Sequence, residues 1–179
     1  DMTFDFKGKN KVTIHNNCAE PWTVTVVDTG LNTMTGGRLK RVKDYIGNET
    51  FMLTYGDGVC DVDLRALQEF HKKHKKMVTL TAIQPGSRFG LVEKCSEKKI
   101  DDGGWINGGF MVIEPELLDH IKDDTVVLEK EPLEFAAVTG NLVAYKHTGF
   151  WQCMDTLRDK QYLENLIIEN KAPWVKWND

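Results

Sequence analysis

Short apolar runs alternate along the chain with stretches whose apolar residues recur every three or four positions. Val12-Thr13-Ile14 and the alternating segment 22–27 predict strands, bounded by Asn16-Asn17 and Thr29-Gly30. Gly36-Gly37 opens a predicted helix with Leu39, Val42 and Ile46 on one face and Arg38, Lys40, Arg41 and Lys43 on the wet side. Residues 51–55 predict the next strand. Asp61 or Asp63 can cap a helix in which Leu64, Leu67, Phe70 and His74 follow helical spacing. Residues 77–83 form another apolar run, closed by Pro85-Gly86, and 110–113 a further one, followed by Pro115 at a helix start. Segment 131–138 reads as a helix with Gly140 as its stop, and 142–146 as a strand. Asp155 can cap a last helix over 156–169 that buries Leu163, Leu166 and Ile167.

This rhythm predicts the α/β class: one domain built on a mostly parallel sheet with helices on both faces. Ligands of such sheets bind outside the carboxyl ends of the strands. Thr54-Tyr55-Gly56-Asp57-Gly58 stands at such an end, with one acid between two glycines that leave the backbone open to close approach.

Composition narrows the picture. The 179 residues are 41% hydrophobic and carry a net charge of −4, enough for one core and too acidic for a general nucleic-acid binder. No apolar run approaches a membrane span. Cys18, Cys60, Cys95 and Cys153 form no Cys-x-x-Cys pair, which predicts reduced thiols and a cytoplasmic protein. His71 and His74 sit among four lysines, so a solvated helix face is expected there rather than a metal site.

Six segments carry candidate chemistry, each with a plain structural alternative. Asp57 is either turn chemistry or a ligand for a hard cation such as Mg²⁺. Asp155 is either an N-cap or a second carboxylate for the same ion. Asp61-Val62-Asp63 has the form of the Asp-x-Asp metal motif of glycosyltransferases, with helix capping as the favoured alternative. Gly103-Gly104-Trp105-Ile106-Asn107-Gly108-Gly109 marks a close approach, where the Asn107 amide suits sugar hydroxyls, or a structural loop. Glu97-Lys98 upstream is either a grip on a hydroxyl and a phosphate or a surface pair. Thr33-Met34-Thr35-Gly36-Gly37-Arg38 offers helix N-terminal amides and a guanidinium to an anion, or is an ordinary helix start.

Taken in order, Asp28-Thr29-Gly30, Met34-Thr35-Gly36-Gly37-Arg38-Leu39, Tyr55-Gly56-Asp57-Gly58, Glu97-Lys98, Ile106-Asn107-Gly108-Gly109-Phe110, Glu131-Pro132-Leu133, and Phe150-Trp151-Gln152 with Met154-Asp155-Thr156 resemble the glucose-1-phosphate cytidylyltransferases among the sugar nucleotidyltransferases. The resemblance implies a Rossmann-like nucleotidyltransferase sheet. It implies an enzyme that joins CTP and glucose 1-phosphate into CDP-glucose and pyrophosphate, with Mg²⁺ held by Asp57 and Asp155. Thr33, Arg38 and Gly56 would meet the nucleotide or sugar phosphate, and Lys98 the sugar phosphate. Glu97, Asn107, Gly108 and Glu131 would line the glucose site. It further implies a homo-oligomer serving polysaccharide biosynthesis, with neither nucleic acid nor membrane as partner.

The sequence departs from the family in two places. The family's opening glycine-rich loop with its Arg and Lys has no counterpart before Val12, and the chain begins with Asp1. Residues missing from the N-terminal βαβ part are the expected reason, and such a piece alone is expected not to make CDP-glucose. The stretch between Gly90 and Glu97 is also shorter than in the family. Two rivals remain at this point: a non-catalytic nucleotide-sugar-binding homologue, and a metal-dependent glycosyltransferase using Asp61 and Asp63.

Overall fold

The computed structural model describes residues 2–8, 11–15, 22–84 and 104–176. The chain runs through β1 (Met2–Asp5), β2 (Lys11–Ile14), α1 (Thr35–Arg41), α2 (Lys43–Ile46), β3 (Phe51–Leu53), β4 (Gly58–Cys60) and α3 (Leu64–His74). It continues through β5 (Val78–Ile83), β6 (Ile106–Ile113), a 3-10 helix (Pro115–His120), α4 (Glu131–Val138), β7 (Leu142–His147), β8 (Trp151–Cys153) and α5 (Leu157–Ile168). The central sheet has the order β3-β6-β5-β7. β5 pairs in parallel with β7 and antiparallel with β6, which is antiparallel to β3. Three strands therefore run one way and β6 against them.

Alternation along β5 sorts the two faces. Val78 and Leu80, with Met111 and Ile113 of β6, join Leu39 of α1, Leu117 and Leu118 of the 3-10 helix, and Leu133 and Ala136 of α4 in one core. Each fully buried leucine of this set is worth about 1.5–3 kcal/mol. Thr79 points the other way and meets α3, where His71 Nδ1 lies 2.8 Å from its hydroxyl oxygen. Helices thus cover both faces, as the α/β pattern predicts.

His71 corrects the expectation of a solvated face. It is 2% exposed, and its Nε2 donates to the Glu114 carboxylate at 2.8 Å. His74 does lie on the expected solvated face, exposed and stacked on Phe70. The two nitrogens of His71 let that polar side chain go under a helix because both find partners. Asp63 caps α3, accepting from Arg65 N at 2.9 Å and Ala66 N at 3.0 Å.

Three further expectations change. Residues 22–27 form no strand: Trp22, Val24 and Val26 are exposed and the segment has no partner strand among the described residues. Alternation needs a sheet edge to become a strand. Among the described residues β1 and β2 pair only with each other. α5 is capped by Thr156, not Asp155, through a capping box in which Thr156 and Asp159 bond reciprocally. Of its three expected core residues, Leu163 is buried and Leu166 half-buried, while Ile167 is 54% exposed.

Gly36 and Gly37 are required by packing. A Cβ on Gly36 would lie 2.8 Å from Val126 O, and one on Gly37 2.5 Å from Asp124 Cα. Their amides donate to Val126 O, and Met34 N donates to Asp124 O. The amides read as a candidate anion cradle are therefore already engaged, which favours the ordinary helix start.

Candidate active site

Two three-residue strands build the site. β4 and β8 pair antiparallel, Gly58 opposite Cys153 and Cys60 opposite Trp151. The ladder extends one bond further, with Met154 N donating to Asp57 O at 2.8 Å. Asp57 and the residue preceding Asp155 are thus tied main chain to main chain, although they lie far apart in sequence. Both acids are exposed at the same end of the ribbon. Neither forms an ion pair with a described Lys or Arg. Since Thr156 caps α5, Asp155 is free of the capping duty expected of it. Its carboxylate meets the Cys153 thiol, whose pKa is pushed up by burial and then by that hydrogen bond.

The ribbon is fastened to the sheet at a bulge. Leu80 pairs with Met111 but Ala82 with Asn107, so residues 108–110 stand opposite Thr81 alone. Gly109 takes φ +87°, and the Tyr55 ring fills the space where its Cβ would lie, with Cδ2 2.6 Å away. Only glycine meets both demands. Gly108 O accepts from the Trp151 indole at 2.8 Å, joining the bulge to β8. Asn107 Oδ1 accepts from Gly109 N at 2.9 Å.

Tyr55 links this corner to a second one. Its hydroxyl donates to Glu129 Oε1, while Thr35 Oγ1 donates to Glu129 Oε2 at 2.8 Å and accepts from Leu128 N at 2.9 Å. Burial, the bond to Glu129 and the Glu129 charge all push the Tyr55 hydroxyl upward, so it stays protonated as a donor. Partial burial works against the charged form of Glu129. The bonds from Tyr55 and Thr35 outweigh it and hold the carboxyl below its usual range.

The structure therefore brings together Gly56, Asp57, Asp155, Asn107 and Gly108. Arg38 is exposed on α1 and is engaged by Thr29 Oγ1 and Leu31 O. Thr33 is buried at 7% exposure, where it packs against Gly30 and Gly37. Glu131 is exposed at the first turn of α4. Glu97 and Lys98 lie outside the described residues. The Asp-x-Asp alternative loses its pairing: Asp63 is taken up in capping α3, whereas Asp61 faces His147, its Oδ1 2.9 Å from Nε2. Tyr55, Thr35 and Glu129 were not singled out from sequence. Two of them fall inside the motifs quoted above, and Glu129 stands two residues before Glu131.

No family model matches the chain. The glucose-1-phosphate cytidylyltransferase of Salmonella typhimurium is 50% identical to it over 185 residues, covering 99% of this chain and 72% of that protein. The chain belongs to the glucose-1-phosphate cytidylyltransferase family. Two solved structures share its fold at low identity. A UDP-glucose pyrophosphorylase complexed with UDP-glucose superposes with a TM-score of 0.63 at 13% identity, covering 80% of this chain and 65% of that one. The inositol-1-phosphate CTP transferase from T. maritima does so with a TM-score of 0.57 at 17% identity, covering 83% and 65%. The cytidylyltransferase motifs therefore sit on a sugar-nucleotidyltransferase framework. Among the described residues no helix is long and apolar enough to cross a membrane.

Proposed function

We propose that this chain carries the metal and sugar side of an enzyme that makes CDP-glucose and pyrophosphate from CTP and glucose 1-phosphate. A phosphate oxygen of glucose 1-phosphate attacks the α-phosphorus of CTP. The bond from the α-phosphorus to the bridging oxygen breaks, and pyrophosphate leaves with that oxygen and its electron pair. Such a transfer asks of the protein in-line positioning and neutralisation of phosphate charge.

The observation that carries this reading is the backbone bond from Met154 N to Asp57 O, which sets two exposed acids at one ribbon end. Their donor set fits Mg²⁺: hard carboxylate oxygens, few in number, leaving room for phosphate oxygens and water. Asp57 and Asp155 would hold the ion, which supplies charge neutralisation on the phosphates. Gly56 leaves open backbone beside them, as no described atom lies within 4 Å of a Cβ placed there. Asn107 and Gly108 lie at the bulge that faces the ribbon, a position suited to glucose hydroxyls. Arg38, Lys98, Glu97 and Glu131 would complete the phosphate and sugar contacts, while Thr33 would support the α1 start from beneath. The same reading includes a homo-oligomer in the cytoplasm.

Asp57→Asn and Asp155→Asn test it. Electrostatic groups of this kind are worth about 3–4 kcal/mol, or about 10²–10³ in rate. Each variant of the full-length protein is expected to lose that much CDP-glucose synthesis, followed by pyrophosphate release with CTP, glucose 1-phosphate and Mg²⁺, while its thermal melt stays unchanged. Near-normal turnover in both variants removes the metal assignment.

A further inference from the structure

The other end of the same ribbon carries a second group of potential ligands. Cys60 closes β4, Asp61 follows it, and His147 closes β7. One ligand atom from each lies within 4.8 Å of the other two, the only such grouping of three His, Cys, Asp or Glu side chains among the described residues. His147 Nε2 and Asp61 Oδ1 are already 2.9 Å apart, and all three residues are half-buried.

We propose that Cys60, Asp61 and His147 form a binding site for a borderline-soft divalent cation, zinc by its donor chemistry, separate from the Asp57–Asp155 pair. Sulfur, nitrogen and oxygen donors together select zinc-like ions over Mg²⁺, which prefers oxygen alone. With bonds of about 2.0–2.3 Å, tetrahedral ligand atoms stand about 3.3–3.7 Å apart, so an ion opens the His147–Asp61 pair slightly from 2.9 Å, replacing its hydrogen bond, and the Cys60 sulfur, within 4.8 Å of both, needs only a small turn to join them. The charges also match. A thiolate and a carboxylate with a neutral imidazole total −2 against a dication, and three protein ligands leave a fourth position for water.

The backbone holds the set in place. Asp61 N donates to Phe150 O at 3.1 Å, and β4 and β7 fix the other two ligands. Gly149 keeps the space clear, since a Cβ there would come within 2.4 Å of Asp61 Oδ1 and 2.7 Å of His147 Cε1. Burial keeps the Cys60 thiol protonated above its ordinary range, so loading the site releases its proton. Lys176, whose ammonium donates to Asp61 O, is the opposing charge and tempers the affinity. A bound ion would tie the ends of β4 and β7 together and brace the ribbon from the side away from the acids.

Metal-stripped protein, titrated with Co²⁺ and then with competing Zn²⁺ in excess Mg²⁺, tests the site without any activity readout. One equivalent per chain with a thiolate-to-cobalt charge-transfer band is expected, displaced by zinc and untouched by Mg²⁺. Cys60→Ser is expected to abolish the band, His147→Gln to weaken binding at least tenfold, and Cys153→Ser to leave both unchanged. Zinc should raise the melting temperature of the parent and not of Cys60→Ser, which covers the case of a variant that folds less well. Absence of the band in the parent, its survival in Cys60→Ser, or its loss in Cys153→Ser overturns the proposal.

Discussion

Gly56→Ala tests whether the open space over this backbone is used by substrate. No described atom lies within 4 Å of a Cβ at this position, and its φ is outside the left-handed region. The added methyl therefore meets no protein atom. It also restricts the unfolded chain, an effect worth about 0.4–1 kcal/mol in favour of the native state. For a chain of this size that corresponds to a melting temperature unchanged or raised by about 1–4 °C. If phosphate or sugar approaches this backbone beside Asp57, the methyl occupies its path. A displacement of about 1 Å at a reacting centre costs about 10²-fold in rate. The expected result is a melt at or above the parent value together with a loss of about 10–10² in kcat/KM for glucose 1-phosphate. The assay pairs differential scanning calorimetry with pyrophosphate release on one preparation. Full activity would show that substrate does not pass over Gly56. A melt several degrees lower would show that the space is filled by the protein itself.

Two further substitutions probe the surroundings. Gly37→Ala places its Cβ against the Asp124 backbone, which cannot rotate away, and is expected to cost about 2–3 kcal/mol, read as a melting temperature lower by about 4–10 °C; an unchanged melt would show that the 124–128 segment yields freely. Tyr55→Phe removes one of the bonds that hold Glu129 ionised and is expected to cost about 1–2 kcal/mol at pH 7. The depressed Glu129 carboxyl contributes stability above its unfolded pKa and loses it as pH falls through the lower folded value. The raised Tyr55 hydroxyl contributes stability below its unfolded pKa and loses it as pH rises through the folded one. The gap between parent and variant melts should therefore be present at neutral pH and shrink in acid; a gap that is the same at pH 7 and pH 3 would refute the Glu129 linkage.

Much of the framework was legible because long elements announce themselves. The apolar run 77–83, the Pro115 start and the 131–138 periodicity all fall where the structure has β5, the 3-10 helix and α4. β4 and β8 escaped notice because three residues are too few to show a period and, unlike Phe51-Met52-Leu53 of β3, neither is an unbroken run of large apolar side chains, yet they are what joins position 57 to position 154. The segment 22–27 misled for the opposite reason: its alternation is real, but a strand is a property of two chains. His71 was hidden by its lysine neighbours, since its partners Thr79 and Glu114 lie 8 and 43 residues away. The two acids were legible as candidates through the family motifs. The Tyr55–Glu129–Thr35 chain was not, because its links span 74 and 94 residues.

The ribbon's brevity has a thermal consequence. A platform of two three-residue strands, moored to the sheet among the described residues by side chains such as the Trp151 indole and the His147 imidazole, has far fewer bonds to break than β5 locked between two neighbours. Regions so lightly anchored come loose well below the global transition. Warming should therefore scatter the two acids while the sheet behind them is still whole, so that catalytic competence fails at a lower temperature than the fold.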